Sequence, residues 1–258
     1  MTLPIAVPGR FRIIAHRGAS AYAPENTAAA FNLARAMGVT EFELDARLTA
    51  DGVVALCHDA TLARYGHGAR GVETMAWADL ASLDMGSWFS PHFFRGERML
   101  TLDALFAAHH DAATYHVELK GPAVPPPGPA LLPQAVYGVI RRHGLQANCI
   151  ITSFSYGMLL AMAALDRDLR LGWLVGDVNA EVLAMAADAR LYQVCPNAKV
   201  VTPETVALAR SVAPEVRAWG LSGAHHEVVA LIEQVVAAGC DGMTINWPDW
   251  VRHEGRRS

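Results

Sequence analysis

Charge is scarce in this chain: only 18% of its 258 residues are Asp, Glu, Lys or Arg, against 52% hydrophobic ones. A disordered tail is thereby excluded, since such segments combine low apolar content with high net charge. The 21 Lys and Arg are outnumbered by 25 Asp and Glu and are scattered, so the footprint of a nucleic-acid or anionic-membrane partner is missing. Four cysteines, Cys57, Cys149, Cys195 and Cys240, form no C-x-x-C pair. That argues against a zinc or dithiol redox centre, and for small buried apolar side chains in a reducing cytoplasm. No segment approaches about 18 consecutive apolar residues. Residues 1–10 carry two prolines where a leader would have its apolar run, so neither a membrane anchor nor a signal peptide is read. The composition points to a small-molecule partner, bound by one large core or two modest ones.

What the chain does have is a rhythm. Short β-branched or alternating runs at 11–15, 40–47, 114–120, 148–153, 169–175, 191–195, 215–221 and 242–246 are separated by Ala-rich stretches with helical spacing at 25–37, 131–143, 205–211 and 226–238. Eight strands alternating with helices predict an α/β fold, a closed (β/α)8 barrel, which spans about 250 residues as one unit. One domain over 1–258 is therefore expected. Pro24 is read as an N-terminal residue of the first helix, and Gly38, Gly144 and Gly239 as helix caps. Residues 61–100, rich in Gly, Trp, Phe and Arg, are read as an insertion after the second barrel strand. Asp51-Gly52 is read as a tight turn into an added strand at 53–58, with a short helix near 77–83. The proline cluster at 122–129 is read as a stiff loop.

Strand parity selects the chemistry. Glu43 and Asp45, two apart, share one face of their strand while Phe42 and Leu44 take the other. The same parity places His116, Glu118 and Lys120 together, opposite Val117 and Leu119. Barrel active sites lie at the C-terminal ends of the strands. Glu43, Asp45 and Glu118 would there form an oxygen-rich site suited to Mg²⁺ or Ca²⁺. Spacing alone leaves a second reading, in which the acids are solvated or paired with Arg47 and Lys120. His16 and His58 each end an apolar strand and could move a proton near neutral pH, as cleavage of a phosphodiester requires twice. Arg17 and Lys120 could hold phosphoryl oxygens. His109-His110 and His225-His226 are read as surface pairs, His116 as a neighbour of the acids or a packed barrel residue, and Trp77 and Trp88 as a minicore of the insertion.

Together the motifs resemble the glycerophosphodiester phosphodiesterase family, most nearly its short cytoplasmic members: His16-Arg17-Gly18, Pro24-Glu25-Asn26-Thr27, Phe31, Glu43-x-Asp45, Asp51-Gly52, His58-Asp59, Asp84 to Phe89, Thr101-Leu102, Glu118-Leu119-Lys120, Ser153-Phe154, Trp219 and Gly239-Cys240-Asp241-Gly242. The resemblance implies a barrel with a small insertion and metal-dependent hydrolysis of glycerophosphodiesters to sn-glycerol 3-phosphate and an alcohol. It implies one divalent cation, Mg²⁺ or Ca²⁺, on Glu43, Asp45 and Glu118. His16 and His58 become the acid/base pair, Arg17 and Lys120 the phosphate contacts, and Trp219 an aromatic wall against the glycerol carbons. Pro24 to Thr27 is expected to position the first helix. The family's Trp-Thr-x-Asn run reads Trp219-Gly220-Leu221-Ser222 here, its Thr-Asp-x-Pro reads Thr244-Ile245-Asn246-Trp247-Pro248, and an Arg-Thr pair reads Arg64-Tyr65. The first two departures are placed at the rim and the third at the insertion's entry, where together they would alter the preferred head group. The subunit count is left open. Against a metal-assisted amidohydrolase or lyase stands the lack of a His-x-His pair on the first strand; against an inactive sugar-phosphate binder stands the filling of every expected catalytic position.

Overall fold

The computed structural model describes residues 3–109, 114–121 and 131–255. The proline cluster at 122–129 and His110 lie outside them. In chain order the strands are β1 (Ile5–Val7), β2 (Arg12–His16), β3 (Glu41–Leu48), β4 (Val54–Leu56), β5 (Thr114–Leu119), β6 (Cys149–Ser153), β7 (Arg170–Val175), β8 (Gln193–Pro196), β9 (Glu215–Ala218), β10 (Gly242–Ile245) and β11 (Val251–His253). The helices are α1 (Ala28–Ala36), α2 (Trp77–Ala81), α3 (Leu102–His109), α4 (Leu131–His143), α5 (Tyr156–Leu165), α6 (Ala180–Asp188), α7 (Pro203–Arg210) and α8 (His225–Ala237).

Eight parallel strands, in the order β2, β3, β5, β6, β7, β8, β9, β10, close into a barrel when β10 returns to β2. β4 stands outside the ring, antiparallel to the upper end of β3, and the two are joined through the turn at Gly52. β1 and β11 form a separate parallel pair. Alternation sorts the side chains as period-two geometry requires. Phe42 faces outward, its ring 5.7 Å from Phe31 of α1 and 5.8 Å from His109 of α3. Leu44, Val117 and Ile151 belong to the same buried cluster between strands and helices.

The helix ends follow local chemistry, with one correction. The side chain that caps α1 is Thr27, which accepts from the Ala30 N–H, so Pro24 precedes the helix by a turn rather than starting it. Gly38, Gly144 and Gly239 have φ of 80°, 67° and 83° at the ends of α1, α4 and α8, as the capping expectation requires. Between β4 and α3 the chain builds a small cluster of its own around Leu62, Tyr65, Val72, Leu80, Met85 and Met99, against which Trp77 and Trp88 pack.

Low in the ring the inward face is ionic. Arg12 binds Glu41 at 2.8 Å and Glu215 at 2.7 Å, Gln193 donates to Glu215, and His116 Nε2 lies 3.0 Å from Glu41. His116 is thus a packed barrel residue of this lower layer. Burial, aided by the charges of Arg217 and Arg12 and opposed by Glu41, pushes its imidazole down to about 4 from 6.5. The unfolded chain therefore takes up this proton as pH falls through 6.5, and the folded chain only near 4. Folding stability should fall over that interval, by about 3 kcal/mol at its lower end. Urea unfolding between those pH values should show the slope in the wild type and its reduction in His116→Gln; equal slopes would remove His116 as the cause.

Candidate active site

The upper ends of β2, β3 and β5 assemble the site. Beyond His16 the chain turns sharply, with φ of 55° at Arg17 and 83° at Gly18. A Cβ at Gly18 would stand 2.5 Å from the Ala30 carbonyl carbon, so the loop can lie against α1 only without a side chain there. Arg17 takes the left-handed conformation at a cost of roughly 1–2 kcal/mol. Its backbone N–H donates to the Glu43 carboxylate at 3.1 Å, and its guanidinium reaches Glu25 at 2.8 Å and Asp45 at 2.9 Å.

Glu43, Asp45 and Glu118 are buried, and one oxygen from each lies within 4.8 Å of the others. Lys120, directly after β5, sits 2.6 Å from Glu118 and 3.0 Å from Asp45. Asn26 donates to Asp45 at 2.8 Å. The Pro24 to Thr27 run therefore does more than position α1: its middle two residues hold Arg17 and Asp45. Burial opposes ionisation of Asp45, but Arg17 and Lys120 outweigh it and hold the acid below the usual range. Burial, then the charges of Asp45 and Glu118, raises Glu43 well above it; burial and Asp45 raise Glu118. Lys120 spans Asp45 and Glu118 and Arg17 spans Asp45 and Glu25, whereas Glu43 has the Arg17 N–H and, at 3.8 Å, His16. Three clustered hard oxygens short of positive charge fit a divalent cation such as Mg²⁺ or Ca²⁺.

The two imidazoles are held differently. His16 Nδ1 is 2.6 Å from the Asn246 side-chain oxygen, which fixes Nδ1–H as the donor and leaves the Nε2 lone pair toward Glu43. Asn246, expected only at the rim, is in contact with His16. His58 Nδ1 is 2.6 Å from Asp59, and Asp59 is 2.9 Å from Arg64. Arg64 and Tyr65, the pair that departs from the family pattern, both bond Glu25. Burial, then Arg17, pushes His16 down to about 3; burial lowers His58, with Asp45 and Asp59 opposing.

His16, Arg17, Glu43, His58, Glu118, Lys120 and Trp219 line one cavity of about 310 Å³, with Asp45 bonded to its two cations. Trp219 is fixed by its indole N–H on the Val175 carbonyl, 3.1 Å away, and meets Phe154 edge to face at 4.8 Å. Ser222 and Gly220 line the same cavity. The histidine pairs lie elsewhere: His109 is buried against Phe42, contrary to the surface expectation, and His225 packs on Trp247 and Trp250. Glu25, Asn26, Asp59, Arg64 and Asn246 are contacts that the strand pattern does not single out.

Comparison with known proteins decides the family, since the glycerophosphoryl diester phosphodiesterase family model matches residues 16–250. The chain belongs to that family. It is accordingly an enzyme of the phosphodiesterase class on a (β/α)8 barrel. A Bacillus subtilis glycerophosphodiester phosphodiesterase is 29% identical over 253 residues, 94% of this chain and 85% of the relative. The Bacillus subtilis protein YhdW is 39% identical over 144 residues, so the match spans little more than half of either protein, 56% of this chain and 57% of YhdW. An Oleispira antarctica phosphodiesterase, solved in complex with the product sn-glycerol-3-phosphate, superposes with a TM-score of 0.80 at 25% identity, covering 94% of both chains. No helix among the described residues is long and apolar enough to cross a membrane.

Proposed function

We propose that this chain hydrolyses glycerophosphodiesters to sn-glycerol 3-phosphate and an alcohol, with Glu43, Asp45 and Glu118 as ligands of one divalent cation, Mg²⁺ or Ca²⁺, and His16 and His58 as the acid/base pair. The observation that carries the reading is the convergence, at one cavity of about 310 Å³, of two imidazoles, two cationic side chains and a carboxylate cluster whose Glu43 and Glu118 line it and whose Asp45 lies behind, bonded to both cations. The product complex of the Oleispira antarctica relative supports the choice of substrate. The cation, when bound, supplies charge against a phosphoryl oxygen and acidifies a nearby hydroxyl.

Arg17 and Lys120 orient the phosphoryl oxygens. His16 Nε2, its tautomer set by Asn246, takes the proton of the glycerol 2-hydroxyl as that oxygen attacks phosphorus. The bond from phosphorus to the departing alcohol breaks, and His58, which Asp59 supports as imidazolium, gives that oxygen its proton. Water then opens the cyclic phosphate: His58 takes its proton and His16 returns one to the 2-hydroxyl. Trp219 packs against the glycerol carbons. The same proposal treats 1–258 as one barrel domain with an insertion at 61–100, acting in the cytoplasm, which suits four buried, unpaired cysteines.

Release of sn-glycerol 3-phosphate from glycerophosphocholine should stop on chelation and return with excess Mg²⁺ or Ca²⁺. Chelator-resistant turnover would overturn the metal role, and inactivity on every glycerophosphodiester would overturn the reading itself.

A further inference from the structure

The pocket floor holds a charge that none of these steps uses. Arg217, on β9 two residues before Trp219, has the same strand parity and lines the same cavity. It is only 2% exposed, yet its Nε and Nη2 have no oxygen acceptor among the described residues, with the Cys195 thiol beside the guanidinium; Nη1 donates to the Thr244 hydroxyl. The Thr152 hydroxyl, on β6, is also buried without a partner and lines the cavity. A guanidinium is positively charged and offers only donors. Leaving such donors unpaired in a barrel interior costs free energy that an apolar residue of similar size would avoid. Their natural partner is an oxygen brought in by a ligand.

A buried guanidinium repels an ammonium group and attracts a hydroxyl, so it discriminates between the two arms of a glycerophosphodiester. We infer that Arg217, with the Thr152 hydroxyl, binds the terminal hydroxyl of the substrate's glyceryl arm on the pocket floor, setting the direction in which the diester enters. A cationic head group is then directed to the mouth, where the half-exposed Phe154 meets Trp219. Arg217 acts here as a specificity-determining residue, and the inference rests on the reaction proposed above.

The test compares glycerophosphocholine with 2-hydroxypropyl phosphocholine, which keeps the attacking 2-hydroxyl and lacks the terminal one. The wild type should favour the glyceryl substrate by about ten- to a hundredfold in kcat/KM, as expected for one hydrogen bond to a charged donor. In Arg217→Met that ratio should collapse toward one, and in Arg217→Lys it should be partly retained. A wild-type ratio near one overturns the inference without need of any variant, while leaving the proposed reaction standing; so does an unchanged ratio in Arg217→Met. Hydrolysis of neither substrate removes the reaction and the inference with it.

Discussion

Glu43→Gln should lose at least about a hundredfold in turnover of glycerophosphocholine, more than the loss of an outer partner of a metal ligand commonly costs. The substitution keeps the shape of the side chain and removes the negative charge that Arg17 and Lys120, each paired with other acids, leave uncompensated. Metal affinity should fall with it, so the Mg²⁺ concentration that gives half-maximal rate should rise. The metal-free protein should respond in the opposite direction. Burial and the neighbouring acids already disfavour ionisation of Glu43, so a neutral amide relieves repulsion and should stabilise the fold by roughly 0.5–2 kcal/mol. Thermal unfolding with and without Mg²⁺ reads both effects: a raised midpoint without metal and a smaller gain on adding it. Wild-type turnover at the wild-type metal requirement would remove Glu43 from the ligand set.

His16→Ala and His58→Ala should each lower kcat by about 10²–10⁴-fold while metal affinity stays near that of the wild type. The double variant should lose little more than either single one, since a proton relay fails as a unit. The leaving group separates the two roles. From a 4-nitrophenyl ester of glycerol 3-phosphate the nitrophenolate departs without being protonated, so in the first, nitrophenolate-releasing step His58→Ala should recover a large part of its loss and His16→Ala should not, while ring opening stays slow in both. Recovery by His16→Ala instead would exchange the assignments, and near wild-type turnover by both variants would end the acid/base reading.

The most legible part of the site was the part set by alternation along a single strand. Glu43, Asp45 and Glu118 could be grouped because a strand repeats every two residues and because Phe42, Leu44, Val117 and Leu119 mark the other face. Contacts made across the fold were not legible. Asn246 lies 230 residues from His16 in the chain, and Arg64 reaches Glu25 from 39 residues away. Arg217 shares the parity of Trp219, so the signal was present, but nothing local separates an inward Arg from an edge one. Among the helices, α5 has no polar stripe to reveal it: Tyr156–Leu165 is almost wholly small or apolar, and helical spacing needs contrast to be seen. The offset of Pro24 has a similar origin, since Thr27 three residues later is the better cap and wins.

The ionic lower layer of the ring has a consequence for how such a protein can change. With the ionic layer inside the strands and most of the apolar mass outside them, the molecule is two nested shells joined at the backbone. The outer shell keeps the barrel closed; the inner one meets the ligand. An inward position can therefore be exchanged without repacking the outer shell, so new specificities are reachable by single steps that leave the architecture intact.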